Sequence, residues 1–524
     1  MRRRRGRVGA GALTLVLLAA AGCSGEDSGD SNGRAGAPAQ ATEPVPGPTD
    51  GPTNGQTDGQ TDEPTAVSPP EAPTAEAPPD PARLRAARSR PVDDPYYPEQ
   101  GEPYLDALHY GLALDWSAPT RRLTGTTTIT FEVTERRSEV QLDLAAELRV
   151  TGATLDGAEV SSRAVGDDLV VETGDLTARE PHMLELAYVG TPQPTTFPGT
   201  REDIPGLGWT IETDGSVWTM QEPFGAFTWY PVNDHPSDKA FYDATIRTDA
   251  GLTSVFNGML ERESTSGDTT IRRWHLPQPA ASYLVTIAIG EYAATKANGP
   301  AGLPITYWTE SRRLPGQLAE SPQMLRWLVD LLGPYPFDTV GAVVVPAASA
   351  METQTMVTLG QGVLQNYEYG RTVVLHEYAH QWLGDAVTPD SWPDLWLNEG
   401  LTMYVQLLWE DSVGVSDVDA TIAEWARRDN ADRDTYGPPG AYNEDEWGSI
   451  NVYFSGAVML HRIRRHVGNE AFFSALRAWA QGRPGSVNRG DFIGRWSAAT
   501  EVDLGPFVSR WLSSPTTPRG PVAP

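Results

Sequence analysis

The sequence predicts two folded domains, an all-β domain at residues 95–297 and a mainly helical α+β domain at residues 298–515. The all-β prediction rests on successive segments in which polar and apolar residues alternate, with no long helical period among them. The α+β prediction rests on two apolar strands followed by several segments with helical spacing of apolar residues. All 16 tryptophans lie after residue 95, and the roughly 420 residues that follow can form two hydrophobic cores.

Residues 1–23 have the composition of an export signal. Arginines occupy positions 2–5 and 7, and an apolar run, Ala10–Ala21, follows them. This run is too short to cross a membrane, and its flanks are those of a signal peptide. The segment ends in AAGC, which resembles a bacterial lipobox, so we expect lipidation of Cys23 and a lipoprotein on the outer face of the cytoplasmic membrane. Ordinary cleavage with secretion is the alternative, and the arginines suit either general or twin-arginine export.

Residues 24–92 are predicted to be a disordered tether. They contain no Phe, Trp, Tyr, Ile or Met, so they cannot bury enough apolar surface to offset the entropy lost on folding. Between residues 24 and 80 there are 11 acidic residues and one basic residue, Arg34. This segment therefore carries about a third of the formal net charge of −29, and a self-repelling, proline-rich spacer suits a membrane tether.

The composition argues against a nucleic-acid partner and excludes an intrachain disulfide. A sequence pI near 4.6 and only two lysines, Lys239 and Lys296, argue against a nucleic-acid partner. A single cysteine excludes an intrachain disulfide, so the fold must be held by its hydrophobic cores.

The strands of the all-β domain are predicted from alternation. Polar and apolar residues alternate in Thr126–Val133, Glu139–Leu144 and Met183–Val189, and Asp156-Gly157 supplies turn chemistry between them. Ser282–Ile289 reads as a further strand near the end of the domain.

The second domain begins with a strand, a helix and another strand. We predict a strand at Leu303–Trp308, a helix at Gln317–Leu332, and a buried strand at Val340–Val345 after a turn at residues 333–337. A helix is expected to begin near Asn451. The helical spacing of apolar residues predicts three or four amphipathic helices within Val458–Leu512.

Two short motifs predict a zinc site. In His376-Glu377-x-x-His380 the two imidazoles stand four residues apart, so one helix can present both to a single point. Glu399 follows after 18 residues, on a predicted amphipathic helix, Trp396–Glu410. Two imidazoles and one carboxylate suit zinc, and three protein ligands with a fourth position left to water are typical of catalytic sites. Glu377 would lie beside this point rather than on it.

The whole segment HEYAHQWLGDAVTPDSWPDLWLNEGL resembles the zinc segment of the gluzincin aminopeptidases, the family of aminopeptidase N and leukotriene hydrolase. The resemblance implies a saddle-like β-sandwich, a thermolysin-like catalytic domain and one zinc ion per chain. It also implies that this chain is a short form, without the family's C-terminal helical domain. One departure is Leu401-Thr402, where the family more often has Phe-Ala, and we expect it to affect packing rather than ligation.

A segment of the all-β domain extends the resemblance. Thr219–Ala240 resembles the loop that the family's β-domain inserts into the catalytic cleft. The resemblance implies that Glu222 binds the free amine of a substrate. Gln221 is assigned to the same substrate site, although it is out of register with the family motif by one residue.

Two segments of the predicted catalytic domain also resemble the family. Ser349-Ala350-Met351-Glu352-Thr353 resembles the family's Gly-Ala-Met-Glu-Asn exopeptidase motif, which implies that Glu352 binds the amine and that Met351 shapes the substrate pocket. Tyr453 lies in a Tyr-x-x-Gly-Ala segment like the family's, which implies a hydroxyl that stabilises the oxyanion.

These residues predict a zinc-dependent aminopeptidase that acts on peptides with a free N-terminal amine. Glu377 is the expected general base and acid. The chain is expected to be a monomer. The alternatives are a thermolysin-type endopeptidase, which has no need of Glu222 and Glu352, and a non-catalytic surface lipoprotein that binds peptides.

Overall fold

The computed structural model describes residues 81–482 and 484–523. The predicted export signal, Cys23 and the tether up to residue 80 lie outside the described residues. Within them, no helix has the length and apolarity that a membrane crossing requires.

The strands fall mainly in the first half of the described chain. They are β1 (Leu105–Ser117), β2 (Arg122–Val133), β3 (Arg137–Asp143), β4 (Leu148–Leu155), β5 (Ala158–Glu159), β6 (Ser162–Val165), β7 (Asp168–Leu176), β8 (His182–Gly190), β9 (Gly208–Ile211), β10 (Val217–Met220), β11 (Lys239–Asp249), β12 (Thr253–Phe256), β13 (Met259–Ser266), β14 (Thr269–Ala281), β15 (Ile287–Gly290), β16 (Ala293–Asn298), β17 (Pro304–Thr309), β18 (Val340–Val345), β19 (Ala350–Met351), β20 (Val357–Gly360), β21 (Val387–Pro389) and β22 (Gly485–Val487).

The α-helices follow mainly in the second half. They are α1 (Pro81–Leu84), α2 (Gly316–Ala319), α3 (Ser321–Leu332), α4 (Tyr367–His380), α5 (Trp396–Ser412), α6 (Val418–Tyr436), α7 (Ile450–Val467), α8 (Asn469–Ala480), α9 (Arg489–Thr500) and α10 (Gly505–Ser513). This order gives a β-rich N-terminal domain followed by a mainly helical catalytic domain, as the sequence predicted.

Three sheets build the N-terminal domain. The largest has eight strands in the order β13-β14-β11-β1-β2-β8-β4-β5, beside sheets ordered β12-β15-β10-β9 and β3-β7-β6. Strands β1 and β2 form a long antiparallel pair, and β1 also pairs in parallel with β11. Their inward side chains form one core, in which Trp116, Trp209 and Trp229 are fully buried. This core holds the sheets together without a disulfide.

The strand prediction for Ser282–Ile289 was partly wrong. Ser282–Leu284 form a 3₁₀ turn, and the extended strand β15 begins only at Ile287. The turn closes because Val285 N–H donates to the carbonyl of Ser282 at 3.1 Å. Apolar side chains on both sides of such a turn resemble those of a buried strand, so the pattern alone did not separate them.

Residues 82–92, which the sequence assigned to the tether, pack against the N-terminal domain. Leu84 and Ala87 are buried in a small cluster with Phe241. The Arg83 guanidinium lies 4.7 Å from the centroid of the Phe241 ring, and the backbone N–H of Ser89 donates to a buried aspartate at 3.0 Å. Arginine side chains cover apolar surface here, so the segment packs although its composition is polar.

The catalytic domain contains a five-stranded sheet in the order β16-β17-β18-β20-β19. Strand β16 begins at Ala293 and pairs with β17, so this sheet starts five residues before the domain boundary expected at residue 298. The helix predicted at Gln317–Leu332 is divided into α2 and α3. Pro322 lies in the first turn of α3 and lacks the N–H that a continuous helix would need there.

The helices pack around a second core beneath the sheet. Helices α4, α5 and α7 are neighbours, and the fully buried side chains between the helices include those of Trp382, Trp396 and Trp511. The two domains meet through side chains such as Tyr283 and Trp392, whose ring centroids lie 5.1 Å apart. This interface borders the cleft that contains the predicted site residues.

Candidate metal and peptide-binding site

Helix α4 carries three of the predicted site residues. Asn366 caps its first turn by accepting a hydrogen bond from a backbone N–H three residues on, at 3.0 Å. His376, Glu377 and His380 lie in its last two turns, and all three are buried. The helix ends at His380, where the chain enters a π-helical turn at residues 381–386.

Three side-chain atoms converge between α4 and α5. His376 Nε2 lies 3.0 Å from His380 Nε2 and 3.2 Å from Glu399 Oε2, and His380 Nε2 lies 3.4 Å from the same oxygen. Donor atoms about 2.0–2.1 Å from a tetrahedral zinc ion lie roughly 3.3–3.4 Å apart. The predicted ligands therefore have both the chemistry and the spacing of a zinc site.

The environment of His376 fixes which of its nitrogens carries the proton. Its Nδ1 lies 2.9 Å from Gln406 Oε1, an oxygen that can only accept, so Nδ1 donates. The amide of Gln406 is oriented in turn because its Nε2 donates to Glu410 at 2.7 Å. His376 Nε2 therefore keeps its lone pair for a metal, and such hydrogen bonds raise the basicity of metal-binding histidines.

His380 has a similar arrangement. The hydroxyl of Thr402 lies 3.2 Å from His380 Nδ1 and donates to the carbonyl of Leu383 at 3.4 Å, so it accepts from the imidazole. Leu401-Thr402 was expected to affect packing rather than ligation; neither residue is among the converging donor atoms, but the hydroxyl of Thr402 contacts a predicted ligand. Alanine, the residue more common in the family, could not make this contact.

Gly384 allows the His380 ring to lie where it does. A Cβ atom at position 384 would come within 3.0 Å of His380 Nδ1 and 3.4 Å of Asn398 Cγ. The first distance is shorter than an ordinary van der Waals contact between heavy atoms, and the second is at the lower limit of such contacts. A side chain at this position would therefore displace the imidazole.

Electrostatics in this pocket favour a bound cation. Burial lowers the pKa of His376 and so keeps it neutral, as a metal ligand must be. Burial also opposes protonation of His380, but Glu352 and Glu399 raise its pKa well above the ordinary value. The same carboxylates that attract a proton to His380 would attract a zinc ion.

Glu377 lies beside the converging candidate ligands, and the residue is 6% exposed. Burial raises the pKa of Glu377 well above its usual range, His380 opposes this, and Glu352 adds to it. A carboxylate with a raised pKa accepts a proton more readily than an exposed one. This is the property that a general base near neutral pH requires.

Tyr453, on α7, reaches the same pocket. Its hydroxyl donates to Glu399 Oε1 at 2.9 Å, while Oε2 of the same carboxylate faces the histidines. Burial and then Glu399 raise the pKa of Tyr453 well above its ordinary value, so the phenol keeps its proton. The structure thus places a permanent hydrogen-bond donor next to the ligand set.

Glu222 and Glu352 come together from different domains. One oxygen of each, and one of Glu399, lie within 4.8 Å of one another. Oε1 of Glu222 and Oε1 of Glu352 are buried and accept no hydrogen bond from any residue in the described part of the chain. Burial raises the pKa of both side chains. Two buried acceptors without donors form a site suited to a cation with several N–H groups.

Met351 and Gln221 lie next to this pair. The backbone N–H of Gln221 donates to Met351 Sδ at 3.3 Å, and Met351 is 4% exposed. The Gln221 side chain donates to the Ser282 carbonyl at 2.8 Å and accepts from the Trp229 indole at 2.9 Å. Because both ends of its amide are used, we expect Gln221 to support Glu222 rather than to touch substrate.

Arg201 also reaches the cleft, and the sequence analysis did not identify it. Its guanidinium lowers the pKa of Glu222, Glu352 and Glu377, although burial dominates all three. Arg201 lies in a loop of the N-terminal domain, far in sequence from the zinc motifs and within no motif of its own. Only the folded chain brings it to the site.

The fold and the site together define a two-domain metallopeptidase, with a β-rich domain beside a helical domain that carries a His-His-Glu ligand set. Comparison with known protein families agrees with this class. Residues 106–284 match the Peptidase M1 N-terminal domain, and residues 317–511 match the Peptidase family M1 domain. These two segments cover more than half of the chain. The chain belongs to the M1 peptidase family.

Individual relatives share parts of this chain. It is 26% identical to aminopeptidase M1 of Arabidopsis thaliana, over 60% of this chain and 39% of that protein. It is 30% identical to aminopeptidase N of Oryctolagus cuniculus, over 41% of this chain and 25% of that protein. The chain thus covers well under half the length of these two curated relatives.

Solved structures match over a longer span. An M1 zinc metallopeptidase from Deinococcus radiodurans is 28% identical, with a TM-score of 0.72 over 82% of this chain and 99% of that chain. A mutant of an M1 zinc metallopeptidase from the same organism, bound to Tyr-Ser-Ala substrate, gives a TM-score of 0.73 at 28% identity, over 82% of this chain and 98% of that one.

Proposed function

We propose that this chain is a zinc-dependent aminopeptidase that removes single N-terminal residues from peptides. The observation that carries the proposal is the pair Glu222 and Glu352, whose buried Oε1 atoms lack hydrogen-bond donors among the described residues. These acceptors lie beside Glu399, one of three side chains with the spacing of a zinc site. A cation-binding pocket next to a metal site is the arrangement that an exopeptidase needs.

His376, His380 and Glu399 are the residues that would hold one zinc ion per chain. Their donor atoms lie 3.0–3.4 Å apart, and the Nδ1 atom of each histidine is engaged elsewhere. When bound, zinc supplies a Lewis acid that polarises a carbonyl and lowers the pKa of water to about 7.

Glu377 performs the proton transfers in the proposed mechanism. It takes a proton from the attacking water and delivers that proton to the nitrogen of the leaving amine. Its buried position and raised pKa suit both steps, because the group must be basic enough to accept and acidic enough to release. Tyr453 keeps its proton and can donate a hydrogen bond to the oxygen on which negative charge develops.

Glu222 and Glu352 determine where the peptide is cut. A protonated α-amine has three N–H donors, and the two carboxylates would bind it through charge-assisted hydrogen bonds. With the amine held there, the first peptide bond is the one that reaches the metal site and Glu377. The Tyr-Ser-Ala complex of the related metallopeptidase supports a peptide substrate with a free amine.

A comparison of matched substrates tests the proposal. Aminoacyl chromogenic amides with a free amine are expected to be hydrolysed, while their N-acetylated counterparts are not. Replacement Glu352→Gln removes one charge from the amine site and is expected to raise KM by at least tenfold. Equal hydrolysis of free and N-acetylated peptides would indicate an endopeptidase and contradict the proposal. Peptide binding without hydrolysis would indicate the non-catalytic alternative.

We also propose that the chain is exported and held at the outer face of the cytoplasmic membrane through lipid on Cys23. The arginine-rich start, the apolar run and the AAGC sequence support this. Full-length protein expressed in a bacterium is expected in the membrane fraction, and a Cys23→Ser variant in the soluble exported fraction. The same distribution for both proteins would contradict a lipid anchor.

A further inference from the structure

The loop between β8 and β9 of the N-terminal domain contacts the catalytic domain. The Trp447 N–H donates to the carbonyl of Pro198 at 3.1 Å, and the hydroxyl of Thr200 donates to Glu446 at 2.6 Å. The chain passes close to the catalytic domain at Gly199, where an added Cβ would lie 3.1 Å from the Trp447 carbonyl oxygen. Residues 198–200 are therefore fixed against the catalytic domain, and Arg201 follows directly.

The guanidinium of Arg201 is oriented by two partners. Nε and Nη2 donate to the two carboxylate oxygens of Asp203 at 3.1 and 2.7 Å, and Nη2 also donates to Ser349 Oγ at 3.0 Å. A guanidinium has five N–H donors in one plane. Nη1 is the nitrogen without a hydrogen-bond acceptor among the residues that the structure describes. Its two N–H groups are therefore available to a ligand.

Nη1 faces the same space as the catalytic tyrosine. A Cβ atom placed on Gly448 would lie 3.4 Å from Arg201 Nη1 and 4.0 Å from the Tyr453 hydroxyl. Glycine at position 448 leaves this space open between them. The free end of Arg201 thus borders the cleft beside the proposed reaction centre.

The direction of a bound peptide follows from strand β19. This strand forms one edge of its sheet and pairs with β20 on one side only, so its other side can accept a peptide backbone. Glu352 follows β19 and Ser349 precedes it. A peptide whose amine lies at Glu352 would extend along this edge toward Ser349 and Arg201, advancing about 3.3–3.6 Å per residue.

We propose that Arg201 binds the C-terminal carboxylate of a di- or tripeptide substrate. The proposal rests on the aminopeptidase function proposed above. Glu222, Glu352, Glu377 and Glu399 make the cleft acidic, and they would repel a carboxylate brought close to the reaction centre. Arg201 offsets this repulsion for short peptides, whose carboxylate reaches it, whereas a long peptide carries its carboxylate beyond the cleft.

Pairs of peptides that differ only at the C-terminus test the proposed carboxylate site. The zinc-loaded enzyme is assayed with alanyl di- and tripeptides as free acids and as C-terminal amides. At one of these lengths KM for the free acid is expected to be at least fivefold lower than for the amide, with similar kcat. Equal KM values for acid and amide at both lengths would overturn the proposal.

Substitution of Arg201 tests whether this residue causes the preference for the free acid. Arg201→Gln is expected to raise KM for the preferred free acid several times more than KM for its amide. Arg201→Lys, which keeps the charge, should retain part of the preference. Arg149→Gln, at an exposed site on β4, is the matched control and should keep the full preference. Parallel losses on acid and amide in Arg201→Gln would show a structural role and overturn the proposal.

A binding measurement separates this proposal from the proposed function. Zinc-loaded Glu377→Gln protein, which should not turn over substrate, is titrated calorimetrically with the same free acids and amides. Tighter binding of the free acid, lost when Arg201→Gln is added, supports the carboxylate site even if no peptide is cleaved. Equal affinity for both ligands overturns it. Failure to cleave any free-amine peptide would instead contradict the proposed function.

Discussion

Gly400 and Gly456 meet where helix α5 crosses helix α7. A Cβ atom on Gly400 would lie 2.9 Å from Gly456 Cα, and one on Gly456 would lie 2.8 Å from Gly400 Cα. These distances are far below carbon–carbon van der Waals contact, so only two glycines permit this approach. Glu399 lies one residue before Gly400, and Tyr453 lies one turn before Gly456. The close crossing therefore brings Glu399, the third candidate ligand, and the tyrosine hydroxyl to within 2.9 Å.

Gly456→Ala is expected to push α5 and α7 apart and to weaken zinc binding. Overpacking of this kind costs about 1–3 kcal/mol in the free energy of unfolding. The zinc affinity should fall because Glu399 moves with α5. Competition with a chelator dye measures the zinc affinity, and the midpoint of urea unfolding measures the loss of stability.

Gly494→Ala is the matched control. Gly494 is a helical glycine in α9 with open space around it, so alanine should stabilise the protein slightly, by up to about 1 kcal/mol. Zinc affinity in Gly456→Ala equal to that of Gly494→Ala would show that the glycine contact does not position Glu399.

Gln406→Leu is expected to weaken zinc binding without unfolding the protein. It removes the acceptor that holds a proton on His376 Nδ1, and loss of such a partner typically costs 10–100-fold in metal affinity. Gln365→Ala, at an exposed position before α4, is the control. An unchanged zinc affinity in Gln406→Leu, measured by competition with a chelator, would contradict the role of this hydrogen bond.

Glu377→Ala is expected to keep zinc and lose turnover. The residue lies beside the ligands rather than among them, so its removal should leave metal affinity within a few-fold while activity falls by at least 10²–10⁴-fold. His380→Ala should lose both properties, since it removes a ligand. Zinc content by atomic absorption and the rate on an aminoacyl amide distinguish the cases. Near-normal turnover by Glu377→Ala would refute its assignment as general base.

Asp243 is expected to stabilise the N-terminal domain in a pH-dependent way. It accepts from His109 Nε2 at 2.8 Å and from His275 Nδ1 at 2.5 Å. Burial opposes ionisation, but these two hydrogen bonds hold the pKa of Asp243 below its ordinary value. The unfolded chain, with a pKa near 3.9, therefore takes up the proton first as the pH falls.

Asp243→Asn should therefore lower the free energy of unfolding by roughly 1–3 kcal/mol at pH 7. The difference from wild type should be complete above about pH 5 and should shrink as the pH falls through 4 toward 3. Urea unfolding of both proteins across this range measures it, with Asp268→Asn, at an exposed turn, as control. A difference that grows on acidification would contradict the sign of the pKa shift.

The sequence alone predicted that His376, His380 and Glu399 converge as candidate metal ligands, because much of their geometry is local. His376 and His380 are four residues apart on one helix, so their spacing determines their direction before any tertiary structure is known. Glu399 could be found because it lies on the next long helix, which the apolar period also predicted. The same reasoning predicted the order of the two domains and most of the strands.

Other features depend on contacts between residues that are distant in sequence. Tyr453 and Glu352 were found through resemblance, since neither has a local pattern that indicates chemistry. Arg201 and the contact between Gly400 and Gly456 were missed because both arise only where separate elements meet. Residues 82–92 were assigned to the tether because composition does not show that arginine side chains would cover a few apolar residues.

Titration of zinc into metal-free protein tests the central claim most directly. The full-length chain is stripped with a chelator, and hydrolysis of a free-amine aminoacyl chromogenic amide is followed as zinc is restored. We predict no hydrolysis without zinc, a rise that ends at one zinc ion per chain, and no hydrolysis of the N-acetylated amide at any zinc level. Full activity in the stripped protein, or an inactive protein with one zinc bound to His376, His380 and Glu399, would contradict the account.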